Sequence, residues 1–194
     1  MGDPRKPKKK YAPPRHPWNK TRIDEERIIV REYGLAKKQE IYKANFLLKR
    51  YTDAAKQIIR SGETEQAKKE AEEIVAKLKK QGLLTEEQGV EDILRLTATK
   101  FLDRRLQTIV FRKGLALTAN QARQLIVHGH ILVDEKKIDA PGHLVTREEE
   151  KQIAYKENST FASEAHPERI KKTQKEKQQT PEIIQEAPAP EVKA

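Results

Sequence analysis

The stretch Phe101 to Val145, FLDRRLQTIVFRKGLALTANQARQLIVHGHILVDEKKIDAPGHLV, decides the fold. It reads as two short amphipathic helices followed by a small β element. At about 100° per residue, Leu102, Leu106, Ile109 and Val110 share one arc of the first helix, and Arg104, Arg105, Thr108 and Arg112 share another. The pattern predicts an apolar face turned to the core and a cationic face turned outward, with Lys113 beside it. Thr99 is the expected N-cap and Gly114 the expected stop. Arginine suits phosphate because its guanidinium is a planar fork of donors. A solvated surface is the competing reading, although a surface without a task more often mixes Lys with Glu.

Thr118 and Gln121 have the spacing of a capping box at the start of the second helix. Ala122, Leu125 and Ile126 form its expected buried side, and Gly129 ends it. The first-turn amides of such a helix carry partial positive charge and can receive a phosphate, with Asn120, Gln121, Arg123 and Gln124 placed to add donors. His128 and His130 bracket Gly129. Two histidines with no cysteine and no third ligand at a recognisable spacing make a poor metal site, so no metal is expected. Hydrogen bonding at a nucleic-acid surface or at the turn is the reading for both. ILVD, EKK and ID then predict two strands around a turn, with Lys136 and Lys137 at the tip, either on phosphate or merely solvated.

Outward toward the N-terminus, the residues of DILRLTATK that precede Phe101 place Ile93, Leu94 and Leu96, with Val90, as core contacts. ETEQAKKEAEEIVAKLKKQ predicts a surface helix over 63–81, with Ala67, Ala71, Ile74 and Leu78 on one narrow face. Its stripe is too short for a coiled coil. KKQEIYKANFLLKRYTDAAKQIIRSG predicts a longer helix ending near Gly62, with Ile41, Ala44, Leu48, Tyr51, Ala55, Ile58 and Ile59 at three- and four-residue intervals, and Phe46 and Leu47 widening the stripe. Lys37, Lys38 and Lys43 are candidates for its outward face. Before it a short helix is expected at about 25–33, with Asp24 as N-cap, Ile23 and Ile28 as staple, and Gly34 as stop. No Pro-rich or Gly-rich linker separates these helices from the stretch, so the two are expected to pack together.

Residues 1–22 contain eight Lys or Arg and five prolines, which excludes helix there. An extended basic arm is expected, carrying Lys8, Lys9, Lys10, Arg15, Lys20 and Arg22. Tyr11, His16 and Trp18 favour an arm that binds over a tail that only solubilises, since aromatics can stack on bases. Beyond Pro167 the composition is Lys, Gln, Glu and Pro with few large apolar residues, and a disordered tail is expected.

Of the 70 charged side chains, 40 are Lys or Arg, giving a net charge of +10. Residues 1–50 carry 15 basic against 6 acidic side chains, and residues 101–147 carry 8 against 4, so the excess lies in those two blocks. A polyanion is the partner this implies. The chain has no cysteine, which removes disulfides and thiolate chemistry and fits a reducing compartment. No apolar run suits a membrane span, and no phosphate loop, nucleophile elbow or HExxH motif is present. Neither a membrane nor a small-molecule substrate is expected, nor an enzyme, nor a cofactor.

FLDRRLQT and ARQLIVHGHI closely resemble the S-four RNA-binding module, and YGLAKKQEIYKANFLLKR with DILRLTATKF extends the likeness to the S-four family of small-ribosomal-subunit proteins in its archaeal and eukaryotic form. The resemblance covers about Lys20 to Phe161. It implies a cytoplasmic structural ribosomal protein that binds small-subunit ribosomal RNA, nucleates the body of the subunit and influences decoding accuracy near the messenger RNA entry channel, beside neighbouring small-subunit proteins such as S-five. It places RNA contacts on Arg104, Arg105, Arg112, Asn120, Gln121, Arg123 and His130. An assembly factor acting on precursor ribosomal RNA is the alternative. The chain lacks the N-terminal cysteine cluster of some bacterial members, so their zinc is not carried over.

The expected fold class is α+β: a mainly α-helical N-terminal region packed with a module of two helices plus short β-strands, then a disordered tail. The expected divisions are an arm over 1–22, a helical domain over 23–100, the RNA-binding module over 101–165 and the tail over 166–194.

Overall fold

The computed structural model describes residues 9–62, 64–163 and 166–167; the expected disordered tail beyond them and Lys8 lie outside the described residues. In chain order the elements are α1 (Lys20–Glu32), α2 (Gln39–Ser61), α3 (Glu65–Lys80), α4 (Val90–Ile93), α5 (Ala98–Asp103), α6 (Leu106–Arg112), α7 (Ala119–Val127), β1 (Ile131–Val133), β2 (Lys136–Lys137), α8 (Arg147–Lys151) and β3 (Ile153–Tyr155). The architecture is α+β and mostly helical, with one small sheet of order β2-β1-β3. The chain divides into two compact units, the first ending at Ala154 and the second beginning at Tyr155. In the second, a 3₁₀ turn at Thr160–Ala162 is capped by the Ser159 hydroxyl, and the Phe161 and His166 rings lie 4.4 Å apart.

The first helix starts earlier than the prolines and Asp24 predicted. Asn19 is the N-cap, its side-chain oxygen accepting from the Arg22 amide, so Lys20 and Arg22 belong to α1 and not to the arm. Pro17 lies outside the helix, where a missing amide costs nothing. Asp24 is inside it and pairs with Arg27. Ile28, expected in a staple, is exposed.

α2 ends at Gly62 as its spacing predicted, and it buries Ile41, Ala44, Ala55 and Ile58. Ile59 and Phe46 fall on the exposed side of that stripe, as does Leu94 after α4, correcting their expected core roles. α3 is capped by the Thr64 hydroxyl and buries Ala67 and Leu78. These helices share one core in which Leu78, Leu84 and Ile93 meet Phe101 and Leu102 of α5, with the Tyr51 and Phe101 rings stacked at 6.0 Å. Full burial of each large apolar side chain contributes about 1.5–3 kcal/mol. That core reaches across residue 101, so the helical region and the start of the module are built as one body.

The helix expected to run from Thr99 to Gly114 is broken. α5 ends at Asp103, Arg105 adopts extended backbone (φ −75°, ψ 142°), and α6 begins at Leu106. The extended residue forms an antiparallel bridge with Leu144: Val145 N donates to Arg104 O at 3.0 Å and Leu106 N to His143 O at 2.8 Å. The break turns the Leu106 amide away from the Leu102 carbonyl, which keeps the Arg105 amide at 3.3 Å and gains the Thr108 hydroxyl at 2.8 Å.

Two buried devices join the regions. Gly34, at φ +58°, follows α1 and sits so close to α7 that a Cβ there would stand 2.8 Å from the Ala119 Cβ. Gln107, 1% exposed, donates to Gly34 O at 2.8 Å and Ala119 O at 2.9 Å. At the far end of α7, β1 and β2 pair in the register Leu132 with Lys137 and Val133 with Lys136. The turn between them is Asp134-Glu135, both at positive φ, as a two-residue hairpin twisted to match its strands requires. Lys136 and Lys137 therefore form β2 itself and not the tip. No described helix is long and apolar enough to cross a membrane.

Candidate nucleic-acid interface

The cationic side chains of the first unit are organised by carboxylates. Glu40, in the first turn of α2, takes a hydrogen bond from Arg105 and one from Arg123 Nη1 at 3.2 Å. Its side chain is 15% exposed and that of Arg105 only 7%. Burial pushes the Glu40 carboxyl up, but the hydrogen bond and charge of Arg105, with the charge of Arg123, outweigh it and hold the group below the ordinary glutamate value. One carboxylate thus ties α2 to the α5/α6 break and to α7.

Glu26 does the same for α1. It is buried, receives Arg22 Nε at 3.2 Å, Lys38 Nζ at 3.1 Å and the Tyr42 hydroxyl at 3.3 Å. Asp103 is a third centre, accepting from the Tyr33 hydroxyl at 2.9 Å and from Arg112. Burial first, then the hydrogen bond and charge of Asp103, push the Tyr33 phenol up to about 12. Arg104 turns into the fold, its Nη1 on Glu150 Oε2 at 2.7 Å and its Nη2 on the Val145 carbonyl at 3.0 Å, while Lys113 reaches the Glu150 carbonyl.

The expected outward arc of Arg104, Arg105, Thr108 and Arg112 is therefore corrected. Because the helix breaks at Arg105, the four side chains do not share a face: Arg105 and Thr108 are buried, Arg104 lies inward and Arg112 stays exposed. Of the α7 group, Asn120 and Gln124 are exposed and Gln121 and Arg123 half-buried. Thr118 accepts from the Gln121 amide at 3.2 Å, but Gln121 Oε1 takes the amide of Leu117, not that of the cap, so the capping box is only half formed. Gly34 and the Gln107 bond to Ala119 O occupy the start of α7, which narrows the approach of a phosphate to its amides. His128 and His130 lie 6.2 Å apart with their rings stacked, and Lys136 and Lys137 are exposed on β2 beside them. Lys9, Lys10, Arg15, Lys20, Lys37 and Lys43 are exposed, as is Trp18 at 91%.

Sequence reasoning missed Glu26, Glu40 and Gln107, whose burial comes only from distant helices. It also missed Lys100 and Arg147, which line one cleft with Arg104 and Arg112. The signal for Arg147 was present: Thr146 and Glu149 form a complete capping box that starts α8.

The S4 domain model matches residues 104–151, beginning at the break between α5 and α6. Over 170 residues the chain is 48% identical to the small ribosomal subunit protein uS4 of Thermoplasma acidophilum, covering 86% of this chain and 85% of that protein. The uS4 proteins of Methanococcus aeolicus and Methanococcus maripaludis are each 48% identical, over 87% and 92% of this chain and 96% and 100% of their own lengths. The chain belongs to the uS4 family. These uS4 relatives are ribosomal proteins, and none carries the name of an enzyme. Membership accounts for a fold in which the S4 domain is not a detached module: its first residues, Arg104 and Arg105, are held by Glu150 and by Glu40, one inside the domain and one in α2.

Proposed function

We propose that this protein is a structural constituent of the small ribosomal subunit that binds small-subunit ribosomal RNA directly, nucleates assembly of the subunit body and contributes to translational accuracy near the messenger RNA entry channel. The observation that carries this is the 48% identity to uS4 proteins along nearly their whole length. The charge agrees with it: an excess of ten cations, gathered in the N-terminal residues and in the S4 domain, fits a phosphate backbone.

The proposed contacts are the exposed cations and donors: Lys9, Lys10, Arg15, Lys20, Lys37 and Lys43 on one side of the sequence, and Arg112, Lys113, Asn120, Gln124, His128, Lys136 and Lys137 in the S4 domain. Lys8 joins the arm, and Trp18 is placed to stack on a base or dock on a protein. Arg22, Lys38, Arg104, Arg105 and Arg123 act mainly by holding the framework. The working divisions are an arm ending at Trp18, a helical region to residue 100, the S4 module from 101 to 165, and the tail. Neighbouring small-subunit proteins, S-five among them, and a cytoplasmic location complete the reading.

Selectivity should come from fit to folded RNA, with phosphate contacts supplying most of the affinity. The test is sedimentation of a tagged chain with mature subunits after a high-salt wash, together with footprinting on small-subunit ribosomal RNA. Retention with a defined footprint supports the reading. Release from mature subunits, with binding to precursor particles only, would favour an assembly factor.

A further inference from the structure

The cleft between the loop after α3, the α5/α6 break and the start of α8 has a lining that the framework contacts do not use up. Lys100, Arg104, Arg112 and Arg147 line it, and Asp103 is the one carboxylate among its lining residues. Four cations brought to one cleft repel one another, and the repulsion is relieved only by counter-charge. Asp103, Glu86 and Glu150 supply part of it. The Arg147–Glu86 pair is solvent-exposed, with side chains 43% and 76% accessible, so it is weak and readily exchanged for another anion.

The backbone is shaped to hold two of the arginines together. Gly82 has φ +69°, and a Cβ there would stand 3.2 Å from both the Arg104 guanidinium carbon and the Arg147 Cγ. Arg147 is pinned by its Nη2 on the Leu84 carbonyl at 2.8 Å, and Arg104 by its bond to the Val145 carbonyl. The bond to a neutral carbonyl orients the Arg147 guanidinium without cancelling its charge, whereas the charge of Arg104 is met by Glu150. Arg112 and Lys100 are exposed at the mouth. The lining has no aromatic side chain on which a base could stack.

We propose that this cleft is a clamp for the phosphodiester backbone of RNA, with Arg147 and Lys100 as its binding residues beside Arg112, and with Arg104 as a positioning residue. This deepens the proposed function and rests on it. Arginine forks suit the paired oxygens of a phosphodiester, and a site that grips phosphate without touching bases fixes register and orientation, not sequence.

The experiment measures binding of the full chain to a small-subunit ribosomal RNA transcript over a salt series, for the natural chain, Lys100→Ala, Arg147→Lys, and Lys100→Ala with Arg147→Ala. The double variant should lose about tenfold in affinity at moderate salt and lower the slope of log affinity against log salt by roughly one to two, while Arg147→Lys, which keeps the charge but not the fork, should keep the slope and lose part of the affinity. Because Arg147 also bonds the Leu84 carbonyl, thermal melting accompanies each variant; if the double variant melts early, Lys100→Ala, which is exposed and outside the framework, carries the test through its own loss of slope. RNA should also shield Lys100 from acetylation, and free inorganic phosphate should not. Natural affinity and slope in folded variants, or equal shielding by inorganic phosphate, would overturn the clamp. If the natural chain itself fails to bind the transcript, the proposed function falls instead.

Discussion

At the residue scale the deciding group is Glu40. Replacing it by Gln leaves Arg105 and Arg123 facing each other with no anion, and breaking a buried pair from one side costs about 3–5 kcal/mol. Thermal or urea denaturation of Glu40→Gln should show a loss of about 3 kcal/mol. Its carboxyl is held below the ordinary value of 4.5 in the folded state, so its stabilisation is present above that value and is lost as pH falls through the lower folded value. The stability gap between the natural chain and Glu40→Gln should therefore narrow below about pH 4.5; a gap independent of pH there would show that the ion pairs contribute nothing. Arg105→Ala belongs to the same experiment, as a change of stability before it is a change of binding. Glu135, at φ 59° in the hairpin, is a smaller case of local strain. Glu135→Gly should raise stability by about 0.5–1 kcal/mol, because left-handed backbone is costly for a side chain with a Cβ and free for glycine. An unchanged or lower melting temperature would count against that turn geometry.

At the scale of elements, what matters is where helices stop and what holds them to one another. The stops at Gly34, Gly62 and Gly129 and the surface helix before Gly82 were legible in the sequence, because caps and periodicity are local. Two short strands after α7 were legible too, but the turn expected over residues 135–137 falls at Asp134-Glu135. The break between α5 and α6 was not. FLDRRLQTIVFR has no proline or glycine, and its apolar spacing continues unbroken, so the local signal is that of one helix. The competing interaction comes from about forty residues later, where the backbone of His143 to Val145 pairs with Arg104 to Leu106. Gln107 shows the consequence: its side chain joins α1, α6 and α7 through backbone carbonyls. Gln107→Leu removes these three bonds, and the expected loss is about 1–3 kcal/mol in chemical denaturation, with hydrogen exchange faster around residues 33–35 and 119–122.

At the scale of the whole molecule, the charge sits where few internal acids neutralise it. Deleting residues 1–18 removes six Lys or Arg while keeping Asn19 as the cap of α1. Under the proposed function this should weaken RNA binding and lower its salt slope, by roughly 0.7–0.9 for each phosphate that the arm neutralises, with no change in melting temperature. An unaltered slope would mean that the arm touches no phosphate. The candidate interface was legible as a set of cations but not as a surface. Helical arithmetic gave Arg104, Arg105 and Arg112 one direction; the broken helix gave each a different task, and it brought Lys100 and Arg147 to the first and third of them. The sequence by itself determined the α+β class, the glycine stops of the helices, the membership of the uS4 family and the positive charge, since composition, short-range spacing and identity are properties of the chain alone. The tertiary structure decided which of those charges are free. An arginine binds a phosphate or a buried glutamate with the same donors, and only the packing of α2 and α8 against the stretch from Phe101 to Val145 determines which anion it meets.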